Sequence, residues 1–391
     1  MDAKERILKT INHEEPDYVP SFEISIDNLA IYNHFNVKYG YQGSGDLLKK
    51  TFDLLKGDTE LLKKFVDKSN KVSDSLTPAI GLYKKVGIDL CSIYLTNLPV
   101  YYERDGIIDD VGTRKHFKKN PSDNMDILYY MGGYFKDIDD YNSFPLPDPD
   151  DPIRENIFKN AKKIENEFKG KVYTVPSFSG IFEATWQCFG LETFSKLLIQ
   201  QKLIKKVFDD RGKFVLEMVK RVSEWGEDGM VLMGDDYGYK NGILMNPKYY
   251  NQYIFPWLER ICNTAHKKGL KFLLHSCGDI SLILEDIIKS GVDAIHPLEP
   301  TTANPEYNIF KLHQKYGDKI TFVGNVSPQD LADKNTEYIQ DYVKKLIKDL
   351  APGGGFILSS GHSINPAVTL ENFLAMHDAL RKNGKYPINI D

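Results

Sequence analysis

Residues 270–279 read LKFLLHSCGD. A short, nearly continuous apolar run of this kind suits a strand buried on both faces, as in a parallel sheet. Three more runs follow it at regular spacing: DAIHP at 293–297, ITFVG at 320–324 and GFILS at 355–359, with longer helical patterns between them. Toward the N-terminus the same texture recurs as VPSFEI at 19–24, DLCSIYL at 89–95, VYTVPS at 172–177 and GMVLMGD at 229–235. Eight such strands alternating with helices predict an α/β fold, the (β/α)8 TIM barrel.

One of the intervening helices is well marked. Asn246 is a good N-cap and Pro247 suits the first helical position. Tyr250, Ile254, Trp257, Leu258, Ile261 and Ala265 recur at helical spacing, and Gly269 is placed to stop the helix. Pro256 lies inside it and should kink or split it. A last helix is expected to open near Thr369. Residues 28–85 separate the first two strands by far more than a usual connection and read as a charged helical N-terminal elaboration over one end of the barrel. Residues 103–150, rich in Asp, Gly, Tyr and Pro, read as a small β excursion ending in the surface loop PLPDPDDP. The expected organisation is thus a single barrel domain over residues 1–391 with these two additions.

Composition narrows the function. In 391 residues, 41% are hydrophobic and 27% charged, the balance of a globular protein. The net charge of -5 leaves no basic excess to neutralise phosphates, which argues against nucleic-acid binding. No apolar segment follows the charged N-terminus, so no secretory signal is expected. The least charged stretch, 172–191, still carries Pro176, glycines and polar residues, so it reads as strand, loop and helix start rather than a membrane span. Four cysteines at no regular spacing make no disulfide framework. The expected setting is a reducing cytoplasm, with no membrane partner.

The chemistry concentrates at strand ends. In an extended chain residues i and i+2 point the same way, so His275 and Cys277 face one point at the C-terminal mouth of the barrel, where such folds place their active sites. A His and a Cys on one face are good first ligands for Zn²⁺, which takes three protein ligands in a catalytic site. The rival reading is a buried cysteine beside a capping histidine. His362, in the loop after the last strand, is the first choice for a third ligand and Glu299 the reserve. His362 could equally be a surface residue of a tight turn. His296 reads as a satisfied hydrogen-bonding histidine. Asp235 and Asp236 after VLMG, and Glu183 after SGIF, are candidate acids that could orient a ligand, bind substrate or move a proton. Asp236 could instead only cap the next segment. Asn325 is a candidate lining group. Cys91, Cys188 and Cys262 read as packing residues, and Gly353–Gly355 precede a strand where a phosphate loop would follow one.

Four segments together, ERILKTINHEEPDYVP (5–20), GDD (234–236), LMNPKYYNQYIFPWLERICNTAHKKGLKFLLHSCGD (244–279) and GGGFILSSGHSINPAVTLENFLAM (353–376), resemble the uroporphyrinogen decarboxylase superfamily. The HxCGD element resembles its zinc-dependent corrinoid methyltransferase branch. That branch includes methylcobamide:coenzyme M methyltransferases and the first methyltransferases of O-demethylase systems. The resemblance implies a (β/α)8 barrel, Zn on His275 and Cys277, and a corrinoid carried by a partner protein. Two departures refine it. The decarboxylases carry an arginine-rich loop after the first strand, whereas SFEISIDNLAIYNHF (21–35) has no arginine. The coenzyme M branch has a third cysteine after the last strand, where this chain has His362. Transfer of a methyl group from a small neutral donor, an aromatic methyl ether, to a corrinoid protein is the expected activity. The rivals are a metal-free decarboxylase and a non-catalytic corrinoid-related binding barrel.

Overall fold

The computed structural model describes residues 1–38, 44–61, 71–120 and 124–390. Fourteen strands occur among them: β1 Ser21–Glu23, β2 Leu90–Tyr94, β3 Pro99–Glu103, β4 Gly106–Asp109, β5 Thr113–Lys119, β6 Asp126–Gly133, β7 Tyr173–Ser179, β8 Met230–Gly234, β9 Gly238–Tyr239, β10 Gly242–Ile243, β11 Lys271–His275, β12 Ala294–His296, β13 Thr321–Val326 and β14 Phe356–Ser360. Eight of these close into a parallel barrel in the order β1-β14-β13-β12-β11-β8-β7-β2. They coincide with the eight runs read from sequence, so the TIM-barrel expectation holds. The register places Gly234 of β8 directly beside His275 of β11, and His275 beside His296 of β12.

The barrel interior is packed by Phe22, Leu90, Val175, Leu232, Leu273, Val323 and Ile357, among others. Its N-terminal end is sealed by the helix Ala3–Ile11, whose buried face of Ala3, Ile7 and Ile11 joins the same core cluster. Asp2 caps this helix by accepting from the Glu5 amide at 2.8 Å. Burying Ile7 and Ile11 fully contributes about 2–3 kcal/mol each. The helix Ala3–Ile11 thus closes the floor of the barrel, and the candidate residues for chemistry lie at the opposite, C-terminal mouth.

The helix expected from Asn246 is present in two parts. Asn246 accepts from the Lys248 amide at 3.0 Å, and Pro247–Tyr249 leads into a π-helical turn, Tyr250–Ile254, before the helix Phe255–Lys267. Pro256 has no N–H to give, and the wider turn falls immediately before it. Thr369 caps the last helix, Leu370–Asn383, by accepting from Asn372 at 3.3 Å.

Within 28–85 the helices Leu29–His34, Ser44–Leu54 and Lys71–Val86 are present. Residues 39–43 and 62–70 of that expected elaboration lie outside the described residues. The β excursion begins at Pro99, earlier than the sequence suggested, and forms a four-stranded antiparallel sheet in the order β3-β4-β5-β6. It leans on the helix Phe182–Phe189 beside the mouth: Phe135 N–H donates to Cys188 O at 3.0 Å, and Tyr130 Oη–H to Gln187 O at 3.0 Å. A buried Arg154–Asp110 ion pair at 2.7 Å ties its base to the helix Pro152–Glu167. No helix among the described residues is long and apolar enough to cross a membrane.

Candidate metal centre and active site

Three donor groups converge at the mouth. Asp236, His275 and Cys277 each offer a ligand atom, and these atoms all lie within 4.8 Å of one another. His275 Nε2 is 3.4 Å from Cys277 Sγ and 3.6 Å from Asp236 Oδ1. Asp236 Oδ1 also accepts from the Cys277 amide at 2.8 Å, which holds the two loops together. The turn after Cys277 needs a glycine: Gly278 has φ +80°, and a Cβ there would lie 2.3 Å from backbone atoms of Gly238 and Tyr239.

The third member of this donor group is Asp236, and neither His362 nor Glu299 is part of it. β8 and β11 are neighbours in the barrel, so the residues that end them meet directly, whereas β14, which leads to His362, is three strands from β11. His362 is exposed, its ring centroid 6.4 Å from that of His275. Glu299 is engaged in shaping the loop: its Oε2 accepts from Gly278 N at 2.9 Å and its Oε1 from Thr301 Oγ1 at 2.8 Å. Neither residue joins the group of donor atoms that lie within 4.8 Å of one another.

The neighbouring aspartate plays another part. Asp235 is fully buried, with Oδ2 accepting from the amides of Ile181 (2.9 Å) and Phe182 (3.1 Å) and Oδ1 from that of Glu183 (2.7 Å). It caps the start of the helix Phe182–Phe189 and does not face the mouth. The approach is so close that a Cβ on Gly180 would sit 2.1 Å from Asp235 Cγ. Burial pushes its carboxyl up to about 6, against the pull of those three amides. The capping role weighed for Asp236 thus belongs to Asp235.

Glu183 is held over the group. Gln187 Nε2 donates to its Oε1 at 2.6 Å, and Asp236 N–H points to its Oε2 at 3.4 Å. Burial, then the charges of Asp236 and Asp235, raise its pKa well above the ordinary value of a glutamate. Asn325 does not line the site. Its Nδ2 donates to Leu298 O and its Oδ1 accepts from Tyr342 Oη, both at 2.9 Å, which turns the amide toward the outer helices.

Two residues that the sequence reading left aside belong to the mouth. Tyr94 ends β2, and burial pushes its phenol up to about 12, with the charges of Glu183 and Asp236 adding to the effect. His296 is fully buried behind His275, their Nδ1 atoms 2.6 Å apart. A period-2 reading of β2 places Tyr94 on the face of Leu90 and Ser92, which could have marked it. His296 does behave as the satisfied histidine that the sequence suggested. Behind β14, the buried Glu23 accepts from Ser360 N at 3.1 Å, and its Oε2 contacts Ser360 Oγ. Ser360 Oγ also contacts His362 O, which only accepts. The one hydroxyl proton therefore goes to His362 O, and the Glu23 contact needs a proton on the carboxyl. Burial accordingly raises Glu23 to about 8.

Comparison with known proteins places this architecture. The uroporphyrinogen decarboxylase (URO-D) family model matches residues 130–383. The chain belongs to the uroporphyrinogen decarboxylase family. A uroporphyrinogen decarboxylase from Coxiella burnetii is 29% identical over 154 residues, covering 38% of this chain and 41% of that protein. The methylcobamide:CoM methyltransferase MtbA of Methanosarcina acetivorans is 23% identical over 239 residues, covering 60% of this chain and 65% of that one. The chain thus spans about two fifths of the length of the first decarboxylase relatives and somewhat under two thirds of this methyltransferase. Among solved structures, a methyltransferase from Methanosarcina mazei superposes with a TM-score of 0.68 over 98% of this chain and 99% of that chain. At 16% identity that likeness establishes the shared fold.

Proposed function

We propose that the chain is a zinc-dependent methyltransferase of the family, moving a methyl group from a small donor, an aromatic methyl ether, to the cobalt of a separate corrinoid protein. The observation that carries this reading is the convergence of Asp236, His275 and Cys277 at the C-terminal mouth of the barrel. The donor set fits zinc: one imidazole nitrogen, one sulfur and one carboxylate oxygen. The electrostatics fit as well. Burial, then Asp236, Glu299 and Glu183, push the Cys277 thiol well above its ordinary value, a cost that a bound dication would reverse. The similarity to MtbA, which is named for a methylcobamide substrate, supports the corrinoid partner.

Zinc, when bound by these residues, supplies a Lewis acid next to the leaving oxygen. The chain's own groups do the rest. The methyl carbon–oxygen bond breaks as Co(I) attacks the carbon with its electron pair, and the oxygen leaves with the bonding pair. Glu183, whose carboxyl burial and the neighbouring aspartates shift toward the protonated form, is the group placed to return a proton to that oxygen. The Tyr94 hydroxyl, influenced by both Glu183 and Asp236, positions the donor. Asp235 holds Glu183 in place through its amide.

The decarboxylase reading is favoured by the names of several relatives. Asp236 and Glu299 beside Cys277 oppose it, because they repel a substrate bearing several carboxylates. The test is an anaerobic assay with a Co(I) corrinoid protein and a panel of methoxybenzenes, methanol, methylamines and methyl thioethers. Methylcobalamin formed from methoxybenzenes is the expected result. Formation only from a thioether or amine would replace the ether donor. No transfer from any donor to a competent corrinoid protein would leave the decarboxylase and the binding barrel.

A further inference from the structure

We infer that His296 is a positioning residue that sets the tautomer of His275 and so keeps its Nε2 bare for the metal. The inference rests on reading the mouth as a metal centre and concerns a residue outside the ligand group itself. It follows from a chain of contacts in which each proton has one place to go. His296 Nε2 lies 3.1 Å from Ser360 O and 3.1 Å from Ser359 Oγ. A carbonyl oxygen only accepts, so the proton of the neutral ring sits on His296 Nε2. The opposite tautomer would set a lone pair against the carbonyl. Ser359 Oγ is free to accept as well, since its own hydroxyl donates to Ser360 O at 3.0 Å.

With Nε2 protonated, His296 Nδ1 is bare and accepts. Its partner at 2.6 Å is His275 Nδ1, which must therefore donate. A neutral His275 carrying its proton on Nδ1 has a bare Nε2, and that nitrogen faces Cys277 Sγ and Asp236 Oδ1. The contacts on that side agree. The 3.4 Å approach of the sulfur suits a thiol donating to a lone pair, while 3.6 Å to the carboxylate is too long for an N–H donor. A metal-binding histidine commonly gives its far N–H to a carboxylate or carbonyl. Here a second histidine, itself anchored on the backbone of β14, takes that place. The edge of Phe22 packs on the His296 ring with centroids 5.1 Å apart and keeps it from turning.

Two measurements test this. In the wild-type protein without metal, labelled with ¹⁵N-histidine, long-range ¹H–¹⁵N correlations should show His275 as the Nδ1–H tautomer and His296 as the Nε2–H tautomer. The reverse assignment for His275 would overturn the proposal without any variant being made. Zinc affinity, measured by competition with a chelator on folded protein, should fall roughly 10–100-fold in His296→Leu, the range for lost outer partners of a ligand. His296→Gln should recover most of that loss, because its amide can accept from His275 and donate to Ser360 O. Equal zinc affinity in wild type and His296→Leu overturns the positioning role alone. A wild-type protein that takes up no zinc overturns the metal reading and this proposal together.

Discussion

Glu23→Gln should change how the stability of the protein depends on pH. Glu23 is fully buried behind β14, and its folded pKa stands at about 8 against an ordinary 4.5. For an acid whose folded pKa is raised, the folded state holds a proton that the unfolded chain releases. Its contribution to stability is complete below pH 4.5 and is lost as the pH rises through about 8. Each pKa unit corresponds to about 1.4 kcal/mol. The full loss is then about 5 kcal/mol, of which about 4 kcal/mol falls between pH 5 and pH 8.5. Glutamine reproduces the protonated carboxyl: its Oε1 accepts from Ser360 N and its amide donates to Ser360 Oγ. It does not titrate. Guanidinium unfolding of wild type and Glu23→Gln at pH 5, 7 and 8.5 should therefore show near-equal stabilities at pH 5. The variant should gain on the wild type by about 4 kcal/mol at pH 8.5. A constant difference across that range would mean that Glu23 is ionised in the folded protein and that the proton placed between it and Ser360 is wrong.

Asp235→Ala leaves the amides of Ile181, Phe182 and Glu183 without their acceptor. It should destabilise the protein by about 2–4 kcal/mol in the same unfolding assay, since buried unpaired groups each cost about 1–3 kcal/mol. Unchanged stability would remove its capping role. Asp236→Ala should weaken zinc binding by more than about 100-fold, while His362→Ala should weaken it by less than about 10-fold. Chelator competition that ranks them the other way would return the third ligand to the loop after β14. Glu183→Gln should lower the rate of methyl transfer by about 10²–10⁴-fold while leaving zinc stoichiometry unchanged, as expected for a lost proton donor. Full activity would exclude it as the acid.

The barrel was legible because its strands are apolar on both faces, a texture that few other elements share. LKFLL, AIH and FILS each mark a strand, and each is one in the structure. His275 and Cys277 were legible for a related reason: two residues apart at a strand end, they had to share a side. The third donor of the group was not, because Asp235 and Asp236 are adjacent and point to opposite sides. Which one enters the mouth depends on the register of β8 against β11, a long-range property. The same limit applies to His362, whose distance from the group depends on a strand order that the sequence does not show. Asn325 failed differently. Strand alternation points it inward, but Tyr342 and Leu298 O offer its amide two partners on the outside. Tyr94 was passed over because its place arises only from what stands beside it, while His296 was read as a hydrogen-bonding histidine without its partners.

The central claim is that Asp236, His275 and Cys277 hold a metal ion. Zinc analysis joined to X-ray absorption at the zinc edge, on wild type and Cys277→Ala purified without a histidine tag, tests it most directly. The account predicts about one zinc per chain in wild type, with a single sulfur neighbour at about 2.3 Å and nitrogen or oxygen neighbours at about 2.0–2.2 Å. It also predicts that Cys277→Ala loses both the sulfur shell and most of the zinc. A wild-type chain that holds no zinc, or a Cys277→Ala chain that keeps full occupancy, would contradict it.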